Sequence, residues 1–179
     1  DHEQSKEAKK MFTLQEKKGK LLGLKLAYVG DGNNVCHSLL EASALMGVHL
    51  TVATPGGYEP HSASVAWAKR QAKQSGAQIQ IISDPAKAVA GADGVYTDVW
   101  TSMGKEEEKE ARQSVFKPFQ VNRALMKKAG PGAIFMHCLP AHIGEEVTRE
   151  VLDSKNSIIY DQAENRLHAQ KALLVWLLK

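Results

Sequence analysis

The chain carries only two cysteines in 179 residues, Cys36 and Cys138, and neither stands in a CxxC or CxxxH arrangement with a second such half elsewhere. That scarcity argues against a zinc ribbon and a disulfide-stapled scaffold, and a reduced, cytosolic setting is expected. No apolar run approaches the roughly 18 residues that cross a bilayer. The opening Asp1-His2-Glu3-Gln4-Ser5-Lys6-Glu7 lacks the apolar core of a signal peptide. The expectation is a soluble, cytoplasmic chain with no membrane partner. A dominant charge sign is missing too: 23 Lys and Arg against 20 Asp and Glu leave a net charge of +3, with the lysines dispersed among acids. No nucleic-acid partner follows from such a balance, while a small anionic ligand stays open.

What is present is an ordinary 43% apolar content and a rhythm of short β-rich runs alternating with helical patterns. Strands are expected at 24–29, 50–53, 78–82, 94–99, 133–136 and 157–160. Helices are expected at 35–46, 61–74, 85–90, 122–128, 144–152 and 164–178. This alternation predicts an α/β fold, a doubly wound (Rossmann-like) parallel sheet in a single three-layer domain. Two stretches break it. Residues 101–120 are polar and charged and read as an exposed loop with room for one helical turn. Residues 1–20 form a separate N-terminal unit, with a helix over 5–16 whose few apolar residues, Ala8, Met11, Phe12 and Leu14, serve one edge only.

The chemistry-bearing residues fall at the carboxyl ends of these strands, where open α/β sheets place their ligand crevice. His137-Cys138-Leu139-Pro140-Ala141 puts an imidazole and a thiol after an apolar run, with a proline to stop it. Gly30-Asp31-Gly32-Asn33-Asn34-Val35 follows the first strand but fails as a dinucleotide fingerprint, because Val35 replaces the third glycine and the ribose-binding acid is missing. Asn33 and Asn34 are open to two readings: a helix cap, or a helix start that receives a carboxylate or phosphate. Asp98, Ser102 and Gly104 offer a carboxylate, a hydroxyl and a sharp turn after the fourth strand, as an ammonium site or as plain loop caps. His137 is either chemically active or a hydrogen-bonded core histidine. A metal held by His137, Cys138 and His142 lacks a fourth ligand. Trp67, Trp100 and Trp176 read as packing residues.

The segments GDGNNVCHS from Gly30, ATPGGYEP from Ala53, TDVWTSMG from Thr97, HCLPA from His137 and AENRLHAQKALL from Ala163 together resemble the ornithine carbamoyltransferase family. The resemblance runs in order through nearly all of residues 14–178, and its HCLP and SMG elements separate this family from the related aspartate enzyme. It covers the ornithine-binding half, residues 21–179 here. By that similarity Asn34 holds the α-carboxylate of L-ornithine, Asp98 and Ser102 hold its α-amino group, and Met103 lines the site. Cys138 and Leu139 face the carbamoyl group, Arg166 reaches carbamoyl phosphate, and Cys138 with Asp98 forms the catalytic pair. The implied reaction joins ornithine and carbamoyl phosphate into citrulline and phosphate, with no cofactor and no resident metal. Cys138 is the family's proton acceptor, which a thiol with an unperturbed pKa of about 8.5 can be only as thiolate; a positioning role for the sulfur is the alternative.

The resemblance also implies what is not in this sequence. The family's Ser-Thr-Arg-Thr-Arg phosphate loop, its His-Arg-Thr element and the His-Pro-Cys-Gln segment before the Leu14 region do not occur. Carbamoyl phosphate is therefore expected to bind only with a partner domain. The polar stretch from Glu3 to Lys10 suggests a divergent or engineered first helix on an excised domain. The family is trimeric, and the oligomeric state of this chain is open. The competing reading is a non-catalytic α/β scaffold; a nicotinamide oxidoreductase ranks behind both.

Overall fold

The computed structural model describes residues 2–101 and 109–178. In chain order the elements are α1 (His2–Lys18), β1 (Lys25–Val29), α2 (Asn34–Met46), β2 (His49–Ala53), α3 (Ser62–Ser75), β3 (Ile79–Ile82), α4 (Pro85–Val89), β4 (Gly94–Thr97), α5 (Lys109–Phe116), α6 (Arg123–Met126), β5 (Ile134–His137), α7 (Arg149–Leu152) and α8 (Ile159–Leu177). Local chemistry sets several of their boundaries. Asn33 caps α2 by accepting the Cys36 amide at 3.1 Å, and Gly47 ends it in the left-handed conformation. Asp84 accepts the amides of Ala86 and Lys87 and opens α4, which has proline in its first turn.

The five strands are parallel in the order β3-β2-β1-β4-β5. This is the doubly wound topology the alternation predicts, with its switch point between β1 and β4. Strand periodicity divides the core in two. Leu26, Tyr28, Tyr96, Ile134 and Met136 pack with residues of α1, α2 and α3 on one face of the sheet. Ala27, Val29, Val95 and Phe135 pack with residues of α4 to α7 on the other.

Four expectations are corrected, the last of them the packing role of Trp176. Residues 157–160 are not a strand: Ser157 makes one isolated bridge with Phe135, and α8 begins at Ile159, five residues ahead of the expected start. Two backbone hydrogen bonds tie residues 156 and 158 to Phe135, and the chain then turns into helix. Much of 101–120 is not an exposed loop, because α5 and the 3₁₀ turn Lys117–Phe119 bury Arg112, Phe116 and Phe119. The helix expected over 144–152 shrinks to α7. At the other end, α1 packs against α8 and α2 with Met11 and Leu14 buried, while Phe12 stays half exposed. Trp100 is buried and Trp67 partly so, but Trp176 is largely exposed. No described helix is long and apolar enough to cross a membrane.

Candidate active site

Strand register builds the site. Val29 pairs with Thr97, and Thr97 pairs with His137. The next residues, Gly30, Asp98 and Cys138, therefore emerge side by side at the carboxyl ends of β1, β4 and β5, at the spacing of neighbouring strands, about 4.8 Å. Asp98 is only 4% exposed and lies between two donors. Asn33 Nδ2 donates to its Oδ2 at 2.9 Å, and the Cys138 thiol donates to its Oδ1 at 2.8 Å. Asn33 thus caps α2 with its oxygen and holds Asp98 with its nitrogen. Of the Asn pair, Asn33 is the cap, and Asn34 stands exposed in the first turn of α2.

Burial, and then the neighbouring Asp98 carboxylate, push the Cys138 thiol up to about 12, against smaller opposing effects of Lys10 and Tyr96. At neutral pH it is a protonated donor to Asp98. Beneath it, Tyr28 and Tyr96 stack with ring centroids 6.1 Å apart. The ammonium of buried Lys10 lies 5.0 Å from the centre of the Tyr96 ring. The Tyr28 hydroxyl donates to the Asp31 carbonyl at 2.8 Å, and the Asp98 charge adds to the burial that raises its pKa.

The turn at 30–34 is fixed from two sides. A Cβ on Gly32 would sit 2.2 Å from Pro60 N and 2.6 Å from the Tyr58 carbonyl oxygen, so only glycine permits this backbone approach. Arg112 of α5 pairs with Asp31 and donates to the Trp100 carbonyl at 2.7 Å. Its guanidinium also lies over the rings of Tyr58 and Phe116. Arg112 is a site support that the sequence reading did not assign, and Asn33, read there as a helix cap or an anion-receiving helix start, also holds Asp98. The arginine sits in a charged run that reads as an exposed loop, whereas the cap role of Asn33 was legible in the sequence and its bond to Asp98 was not.

On the far side, His137 ends β5 and is buried; its Nδ1 accepts the Leu139 amide at 2.9 Å. Leu139 is half-buried beside Cys138, with φ +57°. Arg166, expected at the carbamoyl phosphate, is on an exposed part of α8 with no hydrogen bond or ion pair among the described residues. Ser102 and Met103 lie outside the described residues. His142, Glu145 and Glu146 bring ligand atoms within 4.8 Å of one another, but Glu146 Oε1 accepts the His142 amide and Glu145 Oε1 accepts from Gln113. A cleft of about 670 Å³ between α6, α7 and the turn before β5 lies at the opposite end of β5 from Cys138.

Residues 22–177 match the family model described as aspartate/ornithine carbamoyltransferase, Asp/Orn binding domain. The chain belongs to this family. It is 57% identical over 162 residues to the ornithine carbamoyltransferase of Thermococcus kodakarensis, covering 90% of this chain and 51% of that protein. With the Bacillus cereus ornithine carbamoyltransferase it shares 54% identity over all 179 residues, 56% of that protein. The crystallised ornithine carbamoyltransferase of Pyrococcus furiosus superposes with a TM-score of 0.92 at 55% identity, over 95% of this chain and 54% of that one. The chain thus spans about half the length of the carbamoyltransferases it matches, and the matching half is the Asp/Orn binding domain.

Proposed function

We propose that this chain is the ornithine-binding half of an ornithine carbamoyltransferase, which joins L-ornithine and carbamoyl phosphate into L-citrulline and phosphate when a carbamoyl-phosphate-binding half completes the site. The observation that carries the reading is the nearly enclosed Asp98 at the switch point of the sheet, flanked by Asn33 and Cys138. A carboxylate with one donor on each oxygen keeps lone pairs for an ammonium. Asn34, in the first turn of a 13-residue helix, supplies an amide donor on the side where the helix dipole favours a carboxylate. An α-amino acid carries both an ammonium and a carboxylate group. Ser102 and Met103 complete the ornithine contacts in this proposal, and Arg166 reaches carbamoyl phosphate once the other half is in place.

The δ-amine of ornithine, as the free base, attacks the carbonyl carbon of carbamoyl phosphate; the new C–N bond forms, phosphate leaves with the C–O bonding pair, and the departing phosphate takes up the proton that the nitrogen gives up. Catalysis rests on orientation and on stabilising the developing charge. With its thiol proton engaged by Asp98, Cys138 acts as a positioning donor in the resting site rather than as a ready base. The setting we propose is cytoplasmic, with no nucleic-acid partner.

Mixing both substrates with the chain alone should give little or no citrulline. Adding a separately produced carbamoyl-phosphate-binding half should raise the rate. Turnover by the chain alone at the rate of a complete enzyme would contradict the proposal, as would the absence of any gain when two folded halves are combined.

A further inference from the structure

His137 is buried to 1% and offers no surface to a ligand, yet its Nδ1 is hydrogen-bonded and its Nε2 faces a buried carboxylate. Nδ1 accepts the Leu139 amide at 2.9 Å, and a ring nitrogen that accepts carries no proton. In the neutral ring the proton then sits on Nε2, which lies 3.2 Å from Glu146 Oε1. The approach is off the line of a well-formed hydrogen bond, but Nε2 has no other acceptor among the described residues. The same Glu146 oxygen accepts the backbone amide of His142 at 2.6 Å. One carboxylate oxygen therefore meets both ends of the segment 137–142: it adjoins the imidazole at the first and accepts a hydrogen bond from the backbone amide at the second.

Between those ends Leu139 adopts φ +57°, in the left-handed region. For a residue with a bulky side chain this conformation costs about 1–2 kcal/mol and persists only where the surroundings over-determine it. Glu146 is fully buried, and its second oxygen has no partner among the described residues. Desolvating a carboxylate costs several kcal/mol, so a packed apolar residue would serve stability alone at least as well.

We infer that Glu146 is a positioning residue of the ornithine site: through His137 it fixes the Leu139 backbone, and with it the Cys138 thiol that donates to Asp98. The link to ornithine rests on the proposed function above; the link from Glu146 to Cys138 does not.

The test is nitrogen-15 NMR of the chain together with an L-ornithine titration, on the wild type, Glu146→Met, which keeps volume without an acceptor, and Glu146→Gln, which keeps an acceptor oxygen. The wild type should show His137 protonated at Nε2 and bare at Nδ1. In Glu146→Met that signature should be lost, the amides of Asp98, Cys138 and Leu139 should shift, and the ornithine dissociation constant should rise about tenfold. Glu146→Gln should restore the signature and bring affinity to within about threefold of wild type. A proton on Nδ1 in the wild type would overturn the inference. So would a folded Glu146→Met variant with unshifted Asp98 and Cys138 amides, or with undiminished ornithine affinity. If the wild type itself binds no ornithine, the proposed substrate fails, and the inference is decided by the tautomer and the amide shifts alone.

Discussion

Among the described residues Asp98 accepts one hydrogen bond at each carboxylate oxygen, and both donors, Asn33 and Cys138, are neutral groups. A ligand ammonium would add the countercharge. Asp98→Asn keeps the shape and removes the charge, so ornithine affinity measured by calorimetry should fall about ten- to a hundredfold. Unchanged affinity would move the ammonium site elsewhere. Cys138 makes a second residue-level expectation. The unfolded thiol releases its proton near the usual 9.0, whereas the folded site holds it to about 12. The folded state thus binds this proton more tightly. Its contribution to stability is complete below pH 9 and is lost as pH rises toward about 12. Cys138→Ser keeps a hydroxyl donor that does not titrate in this range, and urea unfolding should show a decline over that window smaller by up to a few kcal/mol. An equal decline in both proteins would contradict the assignment, as would rapid alkylation of Cys138 at pH 8.

Among the elements, the close approach of the 30–34 turn to residues 58–60 is the least forgiving feature, since the atoms a side chain on Gly32 would meet are backbone. Gly32→Ala should lower stability by at least about 1–3 kcal/mol and disturb the Asn33 and Asp98 amides beside it; a wild-type melting temperature would show the turn to be slack. The same elements explain what the sequence could reveal. Strand alternation and turn residues marked β1 to β5 within a few residues, and thereby placed Asp98 and Cys138 at strand ends, where register brings them into contact. The α8 start was hidden because Ser157, Ile158, Ile159 and Tyr160 form a β-branched and aromatic run that reads as a strand, although only one bridge to Phe135 forms. Arg112, Lys10 and Glu146 were hidden for a related reason. Arg112 and Lys10 meet partners distant in sequence, Asp31 and Tyr96, while Glu146 meets His137 and His142 across an irregular turn, and periodicity carries no trace of either kind of contact.

At the scale of the whole molecule, the chain corresponds to the Asp/Orn binding half of proteins about twice its length. The site it builds is anchored within this half by Asn33, Arg112, His137 and Glu146. On this account an amino-acid pocket forms without the other half, whereas turnover needs it. The family description covers both aspartate and ornithine, so the pocket's selectivity is the central claim. An amide NMR titration of the chain with L-ornithine, and in parallel with L-aspartate, tests it most directly. Saturable shifts at Asn33, Asn34, Asp98 and Cys138 with ornithine and not with aspartate are the predicted result. Shifts with aspartate alone, or none with either at millimolar concentration, would contradict it.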